Sequence, residues 1–168
     1  DGGRIVATRL KHDLPNYGVF DEKRVFAGGP LPGPMNFRGV RLRVMVCEDM
    51  WTPDVTECLG ESGAELLVVL NGSPYTVEKW EQRLQLAVAR VGETGLPLIY
   101  VNQVGGQDEL VFDGGSFVLD SGRRLRAGCP TWKEWSLATR WSRRPDGWAC
   151  DDADRHAPPE RLEGIYAA

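Results

Sequence analysis

The chain has 168 residues, enough for one domain with a sizeable core, and its 42% hydrophobic and 26% charged residues are those of an ordinary soluble globular protein. A net charge of -4 without a long basic run argues against nucleic acid as a partner, and no apolar stretch approaches the ~20 residues that span a bilayer. The opening Asp1-Gly2-Gly3-Arg4 is no signal peptide, and four cysteines (Cys47, Cys58, Cys129 and Cys150) without a CxxC pair support neither a structural zinc site nor a disulfide framework, so a reduced, cytoplasmic setting is expected.

In chain order, Asp1-Gly2-Gly3 reads as a hairpin turn leading into a strand over residues 5–10. That strand's partner would precede Asp1, so the chain is expected to be part of a longer protein. Residues 12–37 are rich in Pro, Gly and Asn, lack a period, and predict a long loop ordered by Tyr17, Phe20, Phe26 and Phe37. Residues 40–46 alternate and then turn apolar, as a strand entering a core does, and Cys47-Glu48-Asp49 stands at its end. Thr52-Pro53-Asp54 starts a helix to about Ser62, with Gly63 as its C-cap.

Residues 66–70 predict a buried strand, followed by a turn at Asn71-Gly72-Ser73-Pro74. A helix over residues 77–93 carries Trp80, Leu84, Ala87, Val88 and Val91 at helical spacing, with Lys79 and Arg83 sharing another face as structural or partner-facing residues. Residues 97–102 are the next buried strand, and 103–108 read as a glycine-containing loop. Residues 110–112 and 116–119 suggest antiparallel strands around Asp113-Gly114-Gly115, and Asp120-Ser121-Gly122-Arg123 a further hairpin turn. Strands alternating with helices, then hairpins, predict an α/β layered fold. Residues 1–144 form the domain, and the polar residues 145–168 read as a tail or linker.

The strongest chemical signal is the run strand, Cys47, Glu48, Asp49, Met50, Trp51, helix. A nucleophile at a strand end sits on a sharp turn at the sheet rim, where following backbone N–H groups face a developing oxyanion. A thiol also needs a base or positive charge nearby. Lys11, at the end of the first expected strand, supplies an ammonium for thiolate and oxyanion, with a Cys47–His12 dyad as the alternative. Taken singly, Cys47 also reads as a buried structural cysteine and Lys11 as a solvated surface charge. Cys58, Cys129 and Cys150 read as structural or incidental thiols.

The strings RLKHDLPNYGVFDEKRVFAGG, VMVCEDMW, NGSPY and LIYVNQVGGQDELVFDGGSFVLD resemble the glutaminase domain of glutamine-dependent NAD synthetases, a branch of the nitrilase superfamily. The resemblance runs over residues 1–128 and more loosely to about Cys150. It implies a nitrilase-type α-β-β-α four-layer sandwich, of which this chain is the C-terminal portion and therefore incomplete at the N-terminus. It implies a Glu–Lys–Cys triad in which Cys47 is the nucleophile and Lys11 the lysine, while the family's glutamate is not among these residues; Glu48 belongs to the CED motif and does not replace it. The backbone N–H of Glu48 would join Lys11 at the oxyanion. Tyr17, Phe20, Glu48, Trp51 and Ser73 would line a glutamine pocket, with Glu48 receiving the substrate's amino group. Core packing for the aromatics and turn formation for Ser73 are the plainer alternatives.

The implied activity is release of ammonia from glutamine for a synthetase domain of the same parent chain, which is expected to use ATP and magnesium and to be a homo-oligomer. No SGGxDS phosphate-binding string occurs here, so no cofactor is expected in this part, and because the family's glutamate is not among these residues no activity is expected from it alone. A free-standing amidase, nitrilase or carbamoylase is the rival enzyme. A catalytically incomplete binding or scaffold module is the rival from another class.

Overall fold

A computed structural model describes residues 1–52, 55 and 63–168. The described elements, in chain order, are α1 (Glu22–Val25), β1 (Met35–Phe37), β2 (Val40–Val46), a 3-10 turn (Cys47–Met50), β3 (Leu66–Asn71), α2 (Lys79–Thr94), β4 (Leu98–Asn102), β5 (Val104–Gln107), β6 (Leu110–Asp113), β7 (Phe117–Leu119), β8 (Leu125–Gly128), β9 (Trp141–Arg144), β10 (Gly147–Cys150) and α3 (Arg161–Ala167). Six strands make a mixed sheet in the order β1-β2-β3-β4-β7-β8, and β5-β6 and β9-β10 form two small ribbons. None of the helices among the described residues is long and apolar enough to cross a membrane.

The three central strands are parallel. Leu42 lies opposite Leu66 and Val46 opposite Leu70; Leu67 lies opposite Leu98 and Asn71 opposite Asn102. Parallel neighbours need a crossover, which α2 supplies between β3 and β4. The helix stops at Gly95, whose φ of 68° lets its N–H reach the Val91 carbonyl at 2.8 Å. Ala87 and Val91 of α2 pack on Met45, Leu67, Val69 and Tyr100 of the sheet, and Tyr100 stacks on Phe117 at 4.7 Å. Each of the fully buried Val, Leu and Met side chains contributes roughly 1.5–3 kcal/mol. On the opposite face Val118, Ala127 and Cys150 form a smaller cluster under β9-β10, while Leu70 and Val101 stay exposed. Because β2, β3 and β4 run parallel in register, their C-terminal ends share one rim. That rim gathers Cys47, residues 71–74 and Asn102.

Strands β2, β3 and β4 and helix α2 fall within a residue or two of expectation, as does the turn at Asp120, where β7 and β8 pair antiparallel. Four expectations are corrected. Residues 5–10 follow the expected turn at Gly2-Gly3 but form no strand. Ile5 is 88% exposed and no described strand runs beside it; alternation supplies propensity, whereas a strand requires a ladder partner. The loop 12–37 holds α1 and ends in β1, which pairs with β2 through Arg38-Gly39, both at positive φ as a two-residue hairpin turn requires.

Residues 103–108 are not a loop, since β5 pairs with β6. Strand β6 therefore does not pair with β7, which joins the main sheet between β4 and β8, with Gly114 and Gly115 at positive φ making the change of direction. The helix expected over 52–62 lies, apart from Thr52 and Val55, outside the described residues, as does Cys58. Residues 141–150 form the β9-β10 ribbon with Pro145 and Asp146 at its turn, and Arg155 bridges back to Gly128.

Candidate active site

Strand β2 delivers the chain to the rim, where Cys47 takes a φ of 51° and opens the 3-10 turn. A side-chain-bearing residue pays about 1 kcal/mol or more for that conformation, so neighbours must hold it. Asp49 does so from full burial. Its Oδ2 accepts the Val46 N–H at 3.0 Å, and its Oδ1 accepts the N–H groups of His12 at 2.9 Å and Asp13 at 2.8 Å. One carboxylate thus ties the cysteine turn to the segment that carries Lys11. Thr52 Oγ1 adds a hydrogen bond to Asp13.

Lys11 is mostly buried, with Nζ 2.7 Å from both carboxylate oxygens of Glu22, the first residue of α1. The Gly28-Gly29 pair lets the returning loop close on this segment. A Cβ at Gly28 would lie 2.6 Å from the His12 carbonyl oxygen, and one at Gly29 2.6 Å from Leu10 Cβ. The Gly29 N–H donates to the Lys11 carbonyl at 2.7 Å, and His12 Nδ1 lies 2.6 Å from the Gly29 carbonyl oxygen, engaging the ring there.

Burial pushes the Cys47 thiol up from its ordinary range, and Glu48 and Glu22 add to that, while Lys11 and the Gly72 N–H pull it down. Lys11 therefore acts in the direction expected from the sequence, but desolvation outweighs it and the resting sulfur is a thiol. The rate of alkylation of Cys47 should accordingly climb only as pH rises beyond the usual thiol range. In Lys11→Met the climb should move to still higher pH, slowing labelling at fixed pH about tenfold. Intact mass against time across a pH series measures this; superimposable profiles would show that the lysine does not act on the sulfur.

Cys47 faces a cavity of about 260 Å³, lined also by Tyr17, Phe20, Glu48, Trp51 and Ser73. The Tyr17 hydroxyl donates to Glu48 at 3.0 Å, and its phenol is pushed up to about 12 by burial and by that carboxylate. Phe20 meets Tyr17 edge-on at 5.9 Å. Ser73 is buried, and its framework contacts occupy its N–H, which donates to Asn102 Oδ1, and its Oγ, which accepts from Arg83 Nε. Tertiary structure brings all five proposed pocket residues around Cys47, whereas Lys11, paired with Glu22, is not among the residues lining that cavity.

Four residues at or behind the cavity were given no part in the site by sequence reasoning. Lys79 also lines the cavity, with Nζ 4.6 Å above the Trp51 ring. Burial and Arg83 hold its ammonium below its usual value against the opposite pull of Glu48 and Cys47. Glu22 is eleven residues from Lys11, a separation that no local period marks. Arg83, read as structural or partner-facing, and Asp113, read as part of a hairpin, form a buried ion pair at 2.7 Å, a pairing that the sequence did not mark. Among the described residues no group of three or more His, Cys, Asp or Glu side chains is placed to hold a metal ion.

Residues 1–140 match the model of the carbon-nitrogen hydrolase family. The chain is 46% identical over 166 residues to the glutamine-dependent NAD(+) synthetase of Rhodobacter capsulatus, covering 99% of this chain and 30% of that protein. It superposes on a glutamine-dependent NAD+ synthetase from Acinetobacter baumannii, solved with ADP, with a TM-score of 0.89 and 34% identity, covering 98% of this chain and 31% of that one. A variant of a Nesterenkonia amidase of the nitrilase superfamily matches with a TM-score of 0.63 and 28% identity, over 76% of this chain and 47% of the amidase. The chain thus spans about 30% of the length of the synthetases. These likenesses bear out the α/β, nitrilase-type fold, and the chain belongs to the carbon-nitrogen hydrolase family.

Proposed function

We propose that this chain is part of a glutaminase site in a longer glutamine-dependent NAD synthetase, with Cys47 as the nucleophile. One observation carries the substrate class. Glu48 and Lys79 bring opposite charges to the same cavity as Cys47, matching the ammonium and carboxylate of a free amino acid. A simple aliphatic amide offers neither group, which disfavours a free-standing amidase.

In this reading Cys47 Sγ attacks the side-chain amide carbon of glutamine. The Lys11 ammonium and the Glu48 N–H hold the oxyanion as the tetrahedral intermediate forms. Its collapse breaks the C–N bond, and the nitrogen leaves with an added proton as ammonia, giving a γ-glutamyl thioester. Water then cleaves the thioester to glutamate and the free thiol. Because the resting sulfur is protonated, a base must take its proton during attack. Glu22 is engaged by Lys11 and Glu48 by Tyr17, so the base is assigned to the family glutamate, which is not among these residues. The 168 residues alone are therefore expected to be inactive. Ammonia would pass to a synthetase domain of the parent, and ATP and magnesium chemistry is assigned to that domain.

The test is ammonia release by the full-length protein from glutamine, asparagine, an aliphatic amide and an N-carbamoyl amino acid. Glutamine should be preferred by orders of magnitude; preference for the aliphatic amide would overturn the assignment. Glu48→Gln and Lys79→Met should each raise KM for glutamine about 10- to 100-fold, the equivalent of one charge-assisted hydrogen bond. Glutamine kinetics for both variants provide the measurement, and an unchanged KM would remove the two-charge pocket.

A further inference from the structure

The C-terminal residues return to the wall of the Cys47 cavity. Residues 153–156 run along the outer edge of β8: the Ala153 N–H donates to the Arg126 carbonyl at 3.1 Å, the Gly128 N–H to the Asp154 carbonyl at 2.9 Å and the His156 N–H to the Gly128 carbonyl at 3.1 Å. Beyond Pro158-Pro159, α3 seats its buried Gly164 against Tyr75. A Cβ at Gly164 would lie 3.1 Å from Tyr75 Oη and 3.7 Å from Pro159 Cγ. Trp132 also meets the Tyr75 ring, edge-on at 4.8 Å, and the Tyr75 N–H donates to the Val111 carbonyl at 2.8 Å. Tyr75, with Thr76 and Lys79, lines both the Cys47 cavity and a second cavity of about 180 Å³. Trp132, Pro159 and Gly164 line the second and not the first.

Gly164 lies in regular helix, with its N–H donating to the Glu160 carbonyl at 2.9 Å, so its backbone does not call for glycine. A glycine inside a helix is unfavourable, and here the close approach of the phenol accounts for it. We propose that Tyr75 is a specificity-determining residue of the Cys47 cavity, a wall whose position is set by Gly164 of α3 and by Trp132. The proposal rests on the nucleophile assignment made above. Packed interiors leave a ring little room to move without displacing a neighbour, so a wall backed by α3 and Trp132 resists a bulky group pressing from the cavity. Such a wall admits an unbranched side chain such as that of glutamine and excludes amides with a bulky substituent. A methyl group at position 164 would press the ring away from α3 and into the Cys47 cavity.

Two measurements on the full-length protein test the proposal, and neither depends on amide hydrolysis. The first compares alkylation of Cys47 by iodoacetamide and by its N-benzyl derivative, followed by peptide mass. In both the thiolate displaces iodide at the same carbon, so the ratio of the two rates reports the room around the sulfur. Gly164→Ala should lower the N-benzyl rate relative to iodoacetamide about three- to tenfold, and Tyr75→Ala should raise it by a similar factor, the range of coupling between residues in contact. Tyr75→Phe lacks the oxygen that the new methyl group meets, so in that background Gly164→Ala should change the ratio little. An unchanged ratio in folded Gly164→Ala, or an equal drop in both backgrounds, would overturn the proposal. The second measurement uses the unmutated sequence. If α3 sets the wall, filling the cavity must in turn loosen α3. Hydrogen exchange across residues 161–167 should be faster in the N-benzyl adduct of Cys47 than in the iodoacetamide adduct. Equal exchange in the two adducts would overturn the proposal even if Gly164→Ala failed to fold. Loss of the glutaminase reading, by contrast, would appear as retained activity in Cys47→Ala and would leave both of these readouts unaffected.

Discussion

Cys47→Ala in the full-length protein is expected to abolish glutamine-dependent NAD formation, by a factor on the order of 10⁴ or more, as loss of a covalent nucleophile does. Activity with ammonium salt at alkaline pH should persist, because free NH₃ needs no thioester and the proposed synthetase site shares no residue with the glutaminase site. Lys11→Ala should follow the same pattern, since its role is confined to the sulfur and the oxyanion. The assay is NAD formed per minute with glutamine and then with ammonium for each variant. Loss of both activities in a folded Cys47→Ala protein would make the cysteine structural or part of the second reaction. Retained glutamine activity would place the nucleophile elsewhere.

Asp49→Ala should be the most destabilising single change near the site. It leaves the N–H groups of Val46, His12 and Asp13 without their shared buried acceptor. At about 1–3 kcal/mol for each unsatisfied group, the three together lose roughly 3–9 kcal/mol, a large part of a typical domain's stability. The same change frees the Lys11 segment from the cysteine turn, so Cys47 alkylation in any folded population should lose its dependence on Lys11. Asp49→Asn keeps one acceptor oxygen, presents an amide to the third N–H, and should cost less. Denaturant unfolding of the three proteins gives the comparison. A loss below about 1 kcal/mol for the alanine variant would mean that these bonds contribute little.

The local periods of the sequence were sufficient for the strands and helix that place the site. Residues 66–70 and 98–101 read as the apolar runs of parallel central strands, although Leu70 and Val101 stay exposed on the face away from α2, residues 40–46 alternate before turning apolar, and α2 shows its stripe because one face meets the sheet. Cys47 was legible as a candidate nucleophile because a strand end followed by Glu48 and Asp49 is a local feature. Burial and pairing between distant segments were not legible. The glycines at 105 and 106 hid β5, so the partner of β6 was misassigned, and residues 5–10 carried strand propensity without a ladder to join. Lys11 with Glu22, and Arg83 with Asp113, meet only when loops and helices dock, because ion pairs leave no period in the chain. Only the tertiary structure decided the state of the Cys47 sulfur, since the cost of desolvating a thiolate depends on what packs around it and, here, exceeds the attraction of a nearby ammonium.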